Sequence, residues 1–308
     1  MDLEADLHAV IVAELVEHTE YRRQLAALGT QELLSVYGNW ANRFPPVRPR
    51  TVHYSRELVA LVSGAGTSAR AAEVVLAEIE AGIDLECRLS KDVDVAWAPP
   101  EEPRRKRLRQ LDRFLAAWGI HHLHLGSPDP RTGRARSKDL LYVVFVDDQA
   151  YALAVLPHGE WHRDRLLHIA ADSWPDGGPL LTSNWIVGLE REFSETERAD
   201  LFNANVAVPF ARHGRVYSAR DNVSLAGTSL GAQAWANETL FDLERAVRLL
   251  KHDPQLVELA MRRRFPHLNV GPTLWALEIR DEAFAVVDRN SGAYMRLDEV
   301  ATVRPDRV

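Results

Sequence analysis

With a single cysteine, Cys87, this chain of 308 residues can build neither an internal disulfide framework nor a cysteine-rich zinc site. So few thiols fit a reducing compartment. Nothing around Cys87 suggests an activated nucleophile, so a buried or incidental thiol is expected. Long apolar runs are also missing. No segment approaches the roughly 20 apolar residues of a membrane-spanning helix. The run AVIVAELV near the start is short and flanked by Asp2, Glu4, Asp6 and Glu14, whereas a secretory signal has a basic flank and a longer apolar core. The expectation is a cytoplasmic chain with no membrane partner. Positive charge is in deficit: the net charge of -7 argues against a general nucleic-acid glue but leaves room for a local basic patch. Finally, there is no P-loop. Gly64 and Gly66 precede Thr67 and Ser68 without the required lysine, so ordinary helix capping is expected there and no cofactor is implied.

What is present suits a globular protein: 46% apolar and 26% charged residues, in a chain long enough for one large or two modest domains. Leu3, Leu7, Val10, Ile11 and Leu15 recur at helical spacing, which predicts helix over 3–28, and Thr30 opens another that stops at Gly38. The proline-rich stretch NRFPPVRPRTVHYS forbids a helix interior. It reads as an extended loop packed over the domain or, with Arg43, Arg48 and Arg50, as a strap facing an anion. Ser55 caps a helix, and GTSARAAEVVLAEIEAG makes another. Pro99, Pro100 and Pro103 mark a division, followed by Arg104, Arg105, Lys106, Arg107 and Arg109 on a helix with a cationic face.

The most informative stretch runs from Trp118 to Pro175 and reads as strand, basic loop, strand, tight turn, strand, helix. In IHHLHLG, alternation puts His121, Leu123 and Leu125 on one face and Ile120, His122 and His124 on the other. The loop carries Arg131, Arg134, Arg136 and Lys138. The strands LLYVVFV and AYALAVL meet at an Asp147-Asp148 turn, and the second delivers His158 and Trp161 at its end. Three readings compete. Histidines with a basic loop can cleave RNA without metal, since that reaction needs a base, an acid and cations for the phosphorane. His122 and His124 form a His-x-His pair that, with His158 and Asp147 or Asp148, could hold a hydrolytic metal. The histidines can also be structural.

The text HHLHLG…DLLYVVFVDDQAYALAVLPHGEW resembles the sheet of the RelE/ParE-like toxins, over about a fifth of the chain. The shared features are an opening strand ending in glycine, a second strand with aromatics, and a third ending at a His/Arg turn. By position, His122 and His124 match the basic residues of the opening strand, and His158 matches the residue ending the third. The second strand departs from the family in having Leu141 to Val144 where an arginine is typical. The resemblance implies a toxin-like endoribonuclease, with RNA as substrate and an antitoxin-like protein as partner. The whole chain also resembles bacterial proteins with a His-His-Leu-His-Leu stretch, which implies no particular activity.

Beyond the central stretch, Ser194 and Glu197 make a capping box, and His213-Gly214 is a hairpin turn carrying a second polar group of His213, Arg215, Tyr217, Arg220 and Asn222. AGTSLGAQAWANETLFDLERAVRLLKH reads as a loop and a long helix, followed by a short helix and a meander turning at Asp281-Glu282 and at Asn290-Ser291-Gly292. The predicted class is α+β: a helical part over 1–100, an antiparallel core over 101–180 and an α+β part over 181–308. The expected site places His122, His124 and His158 for proton transfer or positioning. Arg131, Arg134, Arg136, Lys138 and Trp161 would hold the substrate, with no metal. The alternatives are a non-catalytic module that binds nucleic acid or protein, and a metal-dependent phosphoesterase.

Overall fold

The computed structural model describes residues 2–103, 112–158, 164–175, 178–183, 188–204, 206–219, 229–270 and 274–304. Helices and sheets are mixed as an α+β protein. The chain divides into two compact units whose boundaries cross those of three consecutive segments. One comprises Met1–Gly38, Ala96–Glu101 and Ala232–Val308; the other comprises Asn39–Val95 and Glu102–Gly231. Among the described residues, no single helix is long and apolar enough to cross a membrane.

The second unit holds the histidine stretch. Its main sheet has the order β1-β4-β3-β2, from β1 (Thr51–Tyr54), β2 (Ile120–His124), β3 (Asp139–Val146) and β4 (Gln149–Pro157). β2, β3 and β4 form the antiparallel meander expected from sequence, and β1 adds to it parallel to β4. Residues Leu140 to Val144 are all buried. A central strand covered on both faces has no polar side, which is why LLYVV does not alternate and has no place for an arginine.

On one face, α4 (Arg56–Val62) and α5 (Thr67–Ala81) bring Leu58, Val75, Leu76 and Ile79 against Leu123, Leu141, Val143 and Ala152. On the other, α6 (Arg113–Trp118) and α7 (Arg165–Ser173) bring Phe114, Trp118, Leu166 and Ile169 against Ile120, Tyr142 and Val144. Each such leucine or isoleucine contributes about 1.5–3 kcal/mol by leaving water. A bulge beside Tyr142 and Val143 skips Leu153, so Leu153 and Ala154 both join this second cluster. A small sheet, β5-β7-β6, is built from β5 (Leu181–Ser183), β6 (Phe210–Arg212) and β7 (Arg215–Ser218), and buried Phe210 and Tyr217 extend the same core. Helix α8 (Glu195–Asn203) starts at the Ser194–Glu197 capping box.

Up to Arg50 the proline-rich stretch is a packed loop, and Thr51–Tyr54, near its end, are strand β1 rather than the expected loop. Arg43 is buried and donates to the carbonyls of Asp92, Val93 and Val95, and burial lowers its pKa to about 10. Buried Arg50 donates to the Pro46 carbonyl and lies 4.7 Å from the Phe145 ring centre. Both guanidiniums clamp backbone from inside, which corrects the alternative of an anion-facing strap at these two residues.

In the first unit, α1 (Leu3–Leu15) lays its Leu3, Leu7, Ile11 and Leu15 stripe on a sheet of β8 (Trp275–Arg280), β9 (Ala283–Asp288) and β10 (Tyr294–Arg296). The predicted single helix over 3–28 is broken. Thr19 is extended and its hydroxyl donates to the Trp97 carbonyl, so the chain restarts as α2 (Arg22–Ala26). Helix α3 (Thr30–Ala41) follows, and α9 (Leu230–His252), α10 (Pro254–Arg264) and α11 (Leu297–Ala301) come later in the chain. Gly38 lets α3 and α9 approach, since a Cβ there would lie 3.0 Å from the Trp235 ring.

Candidate functional site

Alternation along β2 works as its sequence implies. Ile120, His122 and His124 share the face of Tyr142 and Phe114, while His121, Leu123 and Leu125 face the other core. His124 pairs with Leu140, and β4 runs past β3 to deliver His158, whose N–H donates to the Lys138 carbonyl. The rings of His124 and His158 thereby meet across β3, their centroids 6.4 Å apart and nearly parallel. His122 lies two residues back on the same face, so the three imidazoles form a row with His124 in the middle.

Each ring sits in a different setting. The Ser137 N–H donates to His124 Nδ1 at 3.2 Å, so the neutral ring carries its proton on Nε2. Burial, then the neighbouring His122 and His158, and also Arg136, push the His124 pKa below its ordinary value. Ser137 is itself fixed, accepting from Leu125 N–H and donating to the Asp139 carbonyl. His122 Nδ1 faces Asp112 Oδ2 at 3.4 Å. Asp112 also caps α6, its other oxygen accepting from the Phe114 and Leu115 N–H groups. His158 is exposed.

The basic loop divides. The Asp129 carboxylate accepts from the Arg131 and Thr132 N–H groups, closing a tight turn that leaves Arg131 exposed. Arg134 does not project to the site: it is held by the Glu86 carbonyl, the Glu86 carboxylate and the Asp94 carboxylate. Arg136 and Lys138 are exposed, and Arg136 is close enough to His124 to disfavour its charged form. Underneath, Arg88 is 4% exposed and forms a two-point ion pair with Glu78. Its other guanidinium nitrogen donates to the Gly126 and His124 carbonyls. The loop crosses itself so closely that a Cβ on Gly126 would lie 2.0 Å from the Arg136 carbonyl oxygen.

Asp112, Ser137 and Arg88 were not expected at this site. Asp112 had a signal, an aspartate directly before an apolar helix, which marks an N-cap. Ser137 and Arg88 act through backbone contacts that carry no sequence pattern. The metal shell drawn through Asp147 or Asp148 is contradicted. Both lie in the turn at the far end of the hairpin, seven or more residues from Leu140, or about 23 Å at the usual rise per residue. Among the described residues, no group of three His, Cys, Asp or Glu is placed to hold a metal ion. Trp161 and the cationic run 104–109 lie outside the described residues.

The second polar group stands at the other end of β4. Asp172 at the end of α7 accepts from Arg212 and lies 2.6 Å from His213 Nε2, and the Arg212 bonds bring its pKa down to about 2. Tyr217 is buried, while Arg220 and Asn222 lie outside the described residues. Trp174, just after α7, meets Tyr151 near the start of β4, so this group is at the opposite end of the strand from His158.

His121, on the opposite face of the sheet, is buried beside Phe145, and loss of water lowers its pKa to about 4, although Asp112 favours its charge. The unfolded chain therefore binds a proton here between pH 6.5 and about 4 that the folded chain excludes. Stability should be full above pH 6.5 and fall by about 3 kcal/mol on acidification through that window. His121→Phe should flatten this part of the curve, read from urea midpoints at pH 7 and pH 4.5. Compared with protein-family models, curated proteins and solved structures, the chain finds no match.

Proposed function

We propose that this protein is an RNA-directed, toxin-like endoribonuclease that works without metal. The observation that carries the reading is the contact of His124 and His158 across β3, with His122 beside them and Arg136 near the middle ring. Asp112 faces His122 Nδ1, which leaves Nε2 to serve as the base for the 2′-hydroxyl proton. As that oxygen attacks phosphorus, His124 donates its Nε2–H to a phosphoryl oxygen and Arg136 and Lys138 balance the charge. His158 in its protonated form gives a proton to the departing 5′-oxygen. The products are a 2′,3′-cyclic phosphate and a 5′-hydroxyl.

The substrate side would be supplied by Arg131, Arg136 and Lys138, with Arg134 acting as a strut for the loop. An antitoxin-like protein would be the natural partner, covering this face. The test is cleavage of an RNA oligonucleotide in EDTA. Cyclic-phosphate ends are expected, and a strand with 2′-deoxyribose at the cleaved position should survive. Equal cleavage of both strands would reject the reading. A second reading, a non-catalytic anion-binding module, is favoured by the exposure of Arg131, Arg136 and Lys138. It predicts RNA binding that weakens steeply with salt and leaves the strand intact.

A further inference from the structure

We propose that the first unit binds an organic cation of the alkylammonium class in the cavity between α3, α9 and the β8–β9 turn. The cavity measures about 340 Å³, enough for a small ligand. One wall is aromatic. Trp235 on α9 lies 6.1 Å from Tyr37 on α3 and 5.9 Å from Phe284 on β9, with interplanar angles of 27° and 29°. Trp235 remains 36% exposed, and Gly38 seats its ring by giving up a side chain.

The other walls are acidic. Glu238, Asp242, Glu282 and Asp298 line the cavity with one cation, Arg296. Arg296 is already held at two points by Asp298, both at 3.0 Å. Glu238, Asp242 and Glu282 have no ion-pair partner among the described residues. Burial first, then Asp298 and Glu238, raise the Asp242 pKa against an opposing contribution from Arg245, so the carboxylates outweigh the nearby positive charge. Ring faces attract a cation through their quadrupole, and carboxylates accept its N–H groups. An alkylammonium uses both, with its methylenes on the rings. A hard inorganic cation, strongly hydrated and without methylenes to lay on the rings, would gain less from the aromatic wall, and a phosphate or carboxylate would be repelled. Tyr37, with its pKa raised to about 12 by burial and nearby Glu14 and Glu282, stays a neutral phenol.

An alkylammonium can come from a free polyamine or from a lysine side chain, and titration calorimetry on the full chain separates the two. Spermidine and N-acetyl-lysine methylamide are titrated in turn at physiological salt. Saturable one-to-one binding of at least one is expected, and the tighter of the two names the source. Trp235→Ala and Asp242→Asn should each weaken it at least fivefold, whereas Glu57→Gln, at an exposed position of α4, should not. Asp242→Asn keeps the shape of the cavity, so it decides the matter if Trp235→Ala melts early. Absence of saturable binding for both probes overturns the proposal. So does equal weakening by Glu57→Gln, which would make the effect one of net charge.

Discussion

His124→Ala and His158→Ala should each slow RNA cleavage by roughly 10²–10⁴-fold, the range that one positioned proton-transfer or charge-stabilising group supplies. The two losses have different origins. His158 is exposed and touches the fold through its backbone N–H, so its removal deletes an acid and little else. His124 is half buried and bonded to Ser137, so its removal deletes the donor to the phosphoryl oxygen and opens a small gap. If both act on one phosphate, the double variant should lose much less than the product of the single losses. Asp112→Asn tests the positioning of His122: the amide oxygen can still cap α6, while the charge facing Nδ1 is gone. Single-turnover cleavage rates check all four variants, with melting curves to show that the fold persists.

Arg88→Met should cost about 3–5 kcal/mol of folding stability, because it strands the Glu78 carboxylate and leaves the Gly126 and His124 carbonyls without their donor. The lower end is expected, since the Glu78 side chain keeps 24% of its exposure and water can reach it. Adding Glu78→Leu removes the orphaned charge and should recover part of the loss. The effect also reaches the site. Arg88 ties the His124 and Gly126 carbonyls to α5, so its loss frees the end of β2 and the loop that carries Arg136. Urea unfolding measures the first effect. The second appears as a fall in cleavage rate under conditions where the variant remains folded.

The elements legible in the sequence were those with local signals. Ser55 caps α4, Ser194 and Glu197 form their box, and both residues of the His213-Gly214 turn have positive φ, as a two-residue hairpin demands. The meander of β2, β3 and β4 followed from one turn and two apolar runs. The parallel addition of β1 did not, because nothing in TVHY names β4 as its partner. The division into units was equally hidden: helices near the start pack with strands near the end, and such pairing leaves no mark in either segment.

At the candidate site, period-two alternation was enough to put His122 and His124 on one face. That His158 would reach His124 required knowing that β3 lies between them with Leu140 opposite His124. The basic loop was harder. Arg134 and Arg136 look alike in sequence, yet one is tied to Glu86 and Asp94 and the other is exposed. Which arginine becomes a strut depends on carboxylates some forty residues upstream, and no local pattern encodes that.

The measurement closest to the central claim is the pH dependence of RNA cleavage in EDTA, for the wild-type chain beside His158→Ala. Two imidazoles acting as base and acid predict a bell-shaped profile for the wild type. Loss of the acid should remove the alkaline limb along with most of the rate. A profile and rate unchanged in His158→Ala would contradict the account.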